Sequence, residues 1–248
     1  MLGLMQDWPL LQSRIIEYAA RFHPRREIVT WSVEGPVHRT DYASVHRRAR
    51  QLARALERIG ISRGDRIATL AWNTWRHLEA WFGISGIGAV VHTVNPRLFD
   101  EQIVYIVNHA EDRVLMFDIT FLPLVERLAP HFETVEQYVL LSDAAHLPET
   151  TTLKDLVAYE DWIAGESDDY EWPVFDENTA SGLCYTSGTT GDPKGVLYSH
   201  RSTVLHTLIA ICADTLGINA RQTALPVVPM FHANAWGVPY AAAMTGAK

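Results

Sequence analysis

The sequence predicts an α/β fold in which a mostly parallel sheet is flanked by helices on both faces. From Arg66 to Leu141, short apolar segments of strand length alternate with segments whose apolar residues recur at helical spacing. The strand segments are apolar throughout, which is typical of parallel strands buried on both faces. The 248 residues, 48% of them hydrophobic and 20% charged, can supply the core that such a fold needs.

Before this alternating region, the chain predicts an N-terminal helix, a β-hairpin and a second helix. Residues 10–22 carry apolar side chains at helical spacing, and residues 27–33 and 36–40 predict two strands joined by a turn. A second apolar stripe runs over residues 42–56 and ends before Gly60, which suits a helix C-terminus. Further strands are predicted at 66–71, 89–94, 114–118, 138–141 and 181–186, and further helices at 75–83, 100–109 and 122–128.

Two charged segments need an explanation. The second helix carries five arginines on one face, and we interpret this as a solvated helix face because no aromatic residues interleave with them. The segment 143–177 holds eleven acidic residues and one lysine, and it predicts a surface excursion with one helix near 153–163. The net charge of −8 argues against a broad nucleic-acid surface. The five arginines are Arg47, Arg48, Arg50, Arg54 and Arg58.

The N-terminal sequence, the length of the apolar stretches and the two cysteines indicate where in the cell the protein is found. The N-terminus shows no basic segment before an apolar run, and no apolar stretch is long enough to span a bilayer, so we expect a soluble, cytoplasmic protein. Peripheral membrane contact stays open. Cys184 and Cys212 both lie in apolar runs and predict buried free thiols in a reducing compartment. The histidines and cysteines show no metal-site spacing, so no protein-only metal site is expected.

The most informative segment is Tyr185-Thr-Ser-Gly-Thr-Thr-Gly-Asp-Pro-Lys-Gly195, which follows a predicted strand. Its glycines allow many backbone N–H groups to turn toward one point, and its hydroxyl side chains and Lys194 add donors and a positive charge. The natural ligand is a polyphosphate. The segment is not a Walker A loop, because Pro193 and Gly195 replace the glycine and the hydroxyl residue that flank the lysine there. No G-x-S-x-G turn surrounds Ser187, which argues against a hydrolase nucleophile.

This string resembles the phosphate-binding signature of the acyl-adenylate-forming superfamily, which includes acyl-CoA synthetases, luciferases and the adenylation domains of peptide synthetases. Further segments resemble medium- and long-chain fatty-acid–CoA ligases: His77-Leu-Glu-Ala, Gly88-Ala-Val-Val-His-Thr-Val-Asn-Pro-Arg97 and Val227-Val-Pro-Met-Phe-His-Ala-Asn-Ala-Trp236. The resemblance covers residues 8–248. It implies that residues 1–248 form the N-terminal part of an AMP-binding (adenylation) domain, without the remainder of that domain or the small C-terminal domain.

The resemblance also implies a reaction and its site. Members use ATP and Mg²⁺ to form an acyl-adenylate and then transfer the acyl group to coenzyme A. The implied phosphate-binding residues are Thr186, Ser187, Gly188, Thr189, Thr190, Gly191 and Lys194. Lys194 and His232 are the implied catalytic residues, and Phe231, His232 and Trp236 are the implied substrate-binding residues.

His232 and Trp236 also have a placement that follows from the predicted elements. An apolar strand predicted at 224–228 directs His232 into the crevice at the carboxyl ends of the strands. A helix that begins near Asn234 places Trp236 in its first turn, close to the same crevice. Ordinary core packing remains open for both side chains.

Several later family segments are missing from this chain: a Tyr-Gly-x-Thr-Glu segment, a Thr-Gly-Asp segment and a lysine on a small C-terminal domain. We therefore expect a fragment that is inactive alone, derived from a ligase for a medium or long fatty acid. Two alternatives remain open. One is an AMP-forming ligase for an aryl, short-chain or amino acid, and the other is a non-catalytic nucleotide-binding or oligomerisation module. A homodimer also remains open.

Overall fold

The computed structural model describes residues 1, 3–186 and 192–248. The N-terminal part confirms the predicted helix, hairpin and second helix, with a separate antiparallel sheet of two strands. The second helix begins where the Asp41 carboxylate accepts a hydrogen bond from the Ser44 N–H at 2.8 Å, which satisfies a free donor at the helix start. The elements are α1 (Ser13–Phe22), β1 (Glu27–Trp31), β2 (Val37–Asp41) and α2 (Tyr42–Arg58).

The main sheet has seven strands among the described residues, in the order β7-β6-β5-β3-β4-β8-β9. Every neighbouring pair is parallel except β8 and β9, so the predicted, predominantly parallel sheet is confirmed. Its elements and helices are β3 (Arg66–Leu70), α3 (Trp75–Gly86), β4 (Val90–Thr93), α4 (Asp100–Ala110), β5 (Asp112–Phe117), α5 (Leu122–Leu128), β6 (Gln137–Leu140), β7 (Val157–Ala158), α6 (Tyr159–Ala164), β8 (Ala180–Thr186), β9 (Lys194–Ser199), α7 (His200–Ala210) and α8 (Val238–Thr245).

Helices cover both faces of this sheet, as predicted. Successive strand residues point to opposite faces, so Ile67 and Ala68 belong to two different cores. The Ile67 face packs against α1, α2, α3 and α8, and the Ala68 face packs against α4 and α5. Burying one large apolar side chain contributes about 1.5–3 kcal/mol, so both cores stabilise the sheet substantially.

The acidic segment is less of an excursion than the sequence predicts. The single helix expected near 153–163 is present but shorter than predicted: β7 adds a strand beside β6, and α6 begins only at Tyr159. Tyr159 and Ile163 are fully buried. A strand of two residues is too short to produce a periodic pattern, which explains why the sequence did not reveal it.

The arginines of α2 bind this acidic segment. Arg48 contacts Glu160 at 2.9 Å, and Arg58 contacts Glu166 at 2.6 Å. Arg54 donates to the backbone carbonyl of Asp169. The interpretation of a solvated helix face is therefore only partly right, because three arginines hold the acidic segment against the body of the protein.

Glu79 of α3 lies at the centre of a buried ionic cluster. Its side chain is completely buried, and one carboxylate oxygen accepts a hydrogen bond from Arg48 Nε at 2.7 Å. The other oxygen accepts from the Tyr159 hydroxyl at 2.9 Å. Arg76 extends the cluster through Glu160 at 2.7 Å. The cluster thus ties α2, α3 and α6 together around the fully buried Glu79.

Helix α7 and strand β9 leave apolar side chains uncovered. We call the exposed residues Val196 and Leu197 of β9, with Leu205, Leu208 and Ile209 of α7, the edge surface.

Cys212, just beyond α7, is also exposed, so the prediction of two buried thiols is wrong for Cys212 and confirmed for Cys184. The residues around Cys212 are apolar, as the sequence shows, but only one side of α7 is packed against the protein. Apolar residues on the other side therefore stay exposed. Among the described residues, no helix has the length and apolarity that crossing a bilayer demands.

Candidate active site

The phosphate-loop signature lies where β8 ends and β9 begins. These strands are antiparallel neighbours, and Thr186 pairs directly with Lys194. Both residues are exposed. The two ends of the signature therefore lie side by side at the carboxyl end of a parallel strand, as the sequence predicts. Five predicted phosphate-binding residues lie outside the described residues: Ser187, Gly188, Thr189, Thr190 and Gly191.

Polar side chains that the sequence did not single out anchor the strand that leads into this loop. The Tyr185 hydroxyl lies 2.7 Å from Nδ1 of His109 on α4, and the Tyr185 ring lies 5.1 Å from the His92 ring. His92 Nδ1 is bonded in turn to Asp112 Oδ2 at 2.6 Å, and both of these side chains are fully buried. Burial raises the pKa of Tyr185 to about 12, so its hydroxyl stays a neutral donor. The sequence feature that could have revealed this pair is the presence of a histidine and an aspartate at buried strand positions.

The second candidate segment departs from prediction. Ala224–Val228 belongs to no strand, so the predicted strand is wrong. Leu225 and Val227 are each 82% exposed and alternate with half-buried neighbours, which produces a strand-like pattern. The carbonyls of Pro226 and Val228 accept hydrogen bonds from the Asn73 side chain instead of from a neighbouring strand. Periodicity alone cannot show whether an extended segment has a strand partner.

The three predicted substrate-binding residues separate into one buried and two exposed side chains. Phe231 is buried and lies edge-on to the Trp72 ring, with centroids 5.8 Å apart. His232 is exposed, and its backbone N–H donates to the Pro229 carbonyl at 2.9 Å. Trp236 is 57% exposed. Within this chain, neither His232 nor Trp236 packs into the core.

The backbone around Trp236 forms a left-handed turn. Residues 233–236 have φ between 45° and 56°, and Gly237 follows at 72°. The helix expected to begin near Asn234 is wrong, because α8 starts at Val238, with Pro239 in its first turn. Non-glycine residues in this conformation cost roughly 1–2 kcal/mol each. The turn must therefore be held by its surroundings.

Asn234 supplies one such contact, to the strand that leads into the phosphate loop. Its side-chain oxygen accepts a hydrogen bond from Cys184 Sγ at 3.2 Å. Cys184 in turn lies 3.1 Å from Thr93 Oγ1 on β4. Burial raises the pKa of the Cys184 thiol, which keeps it protonated as a donor. The left-handed turn and the phosphate loop thus share strand β8.

Comparison with known proteins places this arrangement in a family. The model of the AMP-binding enzyme family matches residues 16–248. A 3-methylmercaptopropionyl-CoA ligase of Ruegeria pomeroyi is 53% identical over 246 residues, 99% of this chain and 46% of that protein. A medium-chain-fatty-acid–CoA ligase of Ectopseudomonas oleovorans is 52% identical over 248 residues, 100% of this chain and 45% of that protein. A long-chain-fatty-acid–CoA ligase of Thermus thermophilus is 48% identical over 244 residues, 98% of this chain and 43% of that protein. The chain thus spans less than half the length of each of these relatives.

Solved structures share the fold. The anthranilate CoA ligase AuaEII, in complex with anthranoyl-AMP, superimposes with a TM-score of 0.82 at 23% identity, over 99% of this chain and 46% of that one. The long-chain-fatty-acid–CoA ligase FadD1 of Archaeoglobus fulgidus gives 0.83 at 18% identity, over 100% of this chain and 48% of that one. The family model covers nearly all of the chain, and the fold agrees with it. The chain belongs to the AMP-binding enzyme family, and the resemblance of its signature segments is confirmed.

Proposed function

We propose that residues 1–248 are the N-terminal part of the adenylation domain of an AMP-forming fatty-acid–CoA ligase. The observation that carries this proposal is that the phosphate-loop signature and the Pro229-to-Trp236 segment meet on one strand, β8. A loop for phosphates beside a segment for the acid is the arrangement that acid activation needs. Relatives named as fatty-acid–CoA ligases match along the whole chain and support the same assignment.

The chemistry explains why both parts must be close. A carboxylate is a poor electrophile, so one of its oxygens first attacks the α-phosphorus of ATP, and pyrophosphate leaves. The sulfur of coenzyme A then attacks the carbonyl carbon of the acyl-adenylate, and AMP leaves. We assign Lys194, Thr186 and residues 187–191 to the β- and γ-phosphates, whose charge they offset through charge-assisted hydrogen bonds.

Mg²⁺ would supply further neutralisation of the phosphates. Across the described ranges, no group of three or more His, Cys, Asp or Glu side chains is placed to hold a metal ion. We therefore propose that Mg²⁺ enters with ATP, and that coenzyme A is the second co-substrate. A reducing, cytoplasmic location is part of the same proposal, and it agrees with the free thiols of Cys184 and Cys212. A homodimer stays a prediction.

For the acid we assign His232, Trp236 and Phe231. His232 and Trp236 are exposed next to the turn that contacts β8, so a ligand can reach them. We propose that His232 lies beside the reacting carboxylate and that Trp236 covers the acyl chain. Phe231 packs behind them against Trp72 and would form the inner wall of the acyl site.

The direct test uses a longer protein, called here the extended protein: residues 1–248 followed by the segment that a relative carries beyond the matched region. With ATP, Mg²⁺ and octanoate it should exchange labelled pyrophosphate into ATP, and with coenzyme A it should form octanoyl-CoA. The 248-residue chain alone should form no thioester above background, because too few substrate-holding groups are placed together. The proposal fails if the extended protein is folded and exchanges no pyrophosphate with any carboxylic acid.

The acid itself has a second candidate, favoured by the 53% identity to a 3-methylmercaptopropionyl-CoA ligase. A panel of butyrate, octanoate, palmitate, 3-methylmercaptopropionate and benzoate separates the candidates. A fatty-acid ligase should show kcat/KM rising steeply from butyrate to octanoate, because each buried methylene contributes about 0.8 kcal/mol, or roughly fourfold. A preference for 3-methylmercaptopropionate or benzoate would instead favour the short-chain or aryl alternative.

Trp236→Ala should change this chain-length profile in the extended protein. Removal of the indole takes away apolar contact with the acyl chain. The ratio of kcat/KM for octanoate to that for butyrate should therefore shift at least fourfold, which corresponds to the free energy of burying about one methylene. The KM for ATP should stay within about twofold. Trp31→Ala is the matched control, since Trp31 is exposed on the separate hairpin. Equal profiles for wild type and Trp236→Ala would remove Trp236 from the acyl site.

A further inference from the structure

The loop that follows β3 is held firmly at the carboxyl end of the central strands. The Trp72 N–H donates to Asp118 Oδ2 at 2.6 Å, and the Trp72 carbonyl lies 3.0 Å from Nδ1 of the buried His77. The Trp72 indole N–H also donates to Thr120 Oγ1 at 3.0 Å. The residue that follows, Asn73, therefore projects from a backbone that neighbouring elements fix.

The Asn73 side chain is bonded to three backbone groups of one distant segment. Its Nδ2 donates to the carbonyls of Pro226 at 2.8 Å and Val228 at 3.0 Å. Its Oδ1 accepts from the N–H of Met230 at 2.7 Å. An amide offers donors and an acceptor at once, which no carboxylate or ammonium does. Asn73 thus takes the place that a neighbouring strand would otherwise fill along residues 226–230.

Few other bonds hold this segment. Ala224 donates to the Lys248 carbonyl at 2.7 Å, and His232 donates to Pro229 at 2.9 Å within the segment itself. Pro226 has no N–H to donate. The bonds from Asn73 lie between these two points and immediately precede Phe231, which packs on the ring of the adjacent Trp72. One loop therefore places both the backbone and the first aromatic side chain of the proposed acid-binding segment.

We propose that Asn73 is a positioning residue, which fixes Pro226–Met230 against the sheet and thereby sets where His232 stands relative to the acid. The structural half of this inference stands on the three hydrogen bonds. The catalytic half rests on the proposed function, in which His232 lies beside the reacting carboxylate. Asn73 itself acts through the backbone of Met230, at a distance from the reacting atoms.

Hydrogen exchange in the 248-residue chain tests the structural half. Asn73→Ala should raise the exchange rate of the Met230 amide at least tenfold, while amides of β3 and β5 keep their protection. Asn73→Asp is a second variant: it keeps an acceptor for the Met230 N–H but replaces the donor with a carboxylate oxygen that faces two carbonyls, so faster exchange is expected for this variant as well. The inference is overturned if the Met230 amide exchanges within about twofold of wild type in both folded variants.

Asn108 provides a matched control. It sits on α4 and bridges a loop in the same manner, donating to the His131 carbonyl at 2.9 Å and accepting from the Glu133 N–H at 3.0 Å. Asn108→Ala should raise the exchange rate at Glu133 and leave Met230 unchanged. If Asn108→Ala raised the exchange rate of the Met230 amide equally, both substitutions would be loosening the whole fold. Asn73 would then have no specific role in positioning the segment.

Kinetics in the extended protein test the catalytic half. Asn73→Ala should lower kcat/KM for the fatty acid at least tenfold in pyrophosphate exchange, with the KM for ATP changed less than twofold and Asn108→Ala near wild type. A parallel loss for both substrates would show a merely structural role and overturn the positioning inference. If the wild-type extended protein exchanges no pyrophosphate, the proposed function fails, whereas the Met230 amide still decides whether Asn73 holds the segment.

Discussion

Replacement of Lys194 by alanine is expected to lower ATP–pyrophosphate exchange by the extended protein roughly ten- to a hundred-fold, the equivalent of losing a charge-assisted hydrogen bond worth about 1.5–3 kcal/mol. Lys194 is the first residue of β9 and pairs with Thr186, the last residue of β8, so it adjoins the signature loop in sequence. Since β9 keeps its backbone bonds in the variant, the loss should appear in the reaction rather than in the fold.

Two variants make this result specific. Lys194→Arg keeps the positive charge and should retain more activity than Lys194→Ala. Lys154→Ala removes an exposed lysine from the acidic segment and should leave exchange near the wild-type rate. An unchanged exchange rate in Lys194→Ala would remove Lys194 from the phosphate site, and a loss of similar size in Lys154→Ala would point to a general effect of net charge.

The second large effect is on stability. In the 248-residue chain, Arg48→Ala should reduce the free energy of unfolding by about 3–5 kcal/mol near pH 8, because the buried Glu79 loses its cation and must either stay charged without a partner or take up a proton. Urea unfolding followed by circular dichroism measures this change. Arg58→Ala is the control: the Arg58 side chain is about half exposed in its pair with Glu166, and exposed pairs contribute about 0–1 kcal/mol. The double variant Arg48→Ala/Glu79→Gln should recover much of the loss.

The same variant should show a pH dependence of definite sign. Burial raises the pKa of Glu79 from its ordinary value of 4.5 to about 7, against the opposing effect of Arg48. The folded chain thus binds more protons than the unfolded chain between these values, so the contribution of Glu79 to stability is full below pH 4.5 and lost as pH rises to about 7. Without Arg48 this pKa rises further. The Arg48→Ala penalty should therefore be larger at about pH 8 than at about pH 5.5, and equal penalties would contradict a titrating Glu79.

The sequence predicts those parts of the fold that depend on local periodicity. The strand–helix alternation from Arg66 onward, the amphipathic stripe of α2 and the hairpin before it are all present in the structure. The failures occur where a partner distant in sequence decides the outcome. Ala224–Val228 has the pattern of a strand but bonds to an asparagine side chain, and β7 exists only because β6 offers it an edge.

In the candidate site, too, features set by contiguous residues could be predicted from the sequence, and features set by distant partners could not. The signature string and the residues near Trp236 could be found from the sequence because they are contiguous. The left-handed turn at 233–236 could not be predicted from the sequence. Its conformational free-energy cost is offset by contacts with distant residues, such as the hydrogen bond between Asn234 and Cys184. Asn73 and the His92–Asp112 pair were equally hidden, since their importance arises from neighbours brought together by the sheet.

The edge surface has a practical meaning for work with the isolated chain. Apolar side chains beside an open strand edge both attract other apolar surfaces and offer unpaired backbone groups as a template for a further strand. The net charge of −8 opposes close approach of two copies at low ionic strength, but added salt screens that repulsion while leaving the apolar attraction intact. Colloidal stability of the 248-residue chain should therefore be best in dilute, low-salt buffer, and high-salt purification steps should favour precipitation.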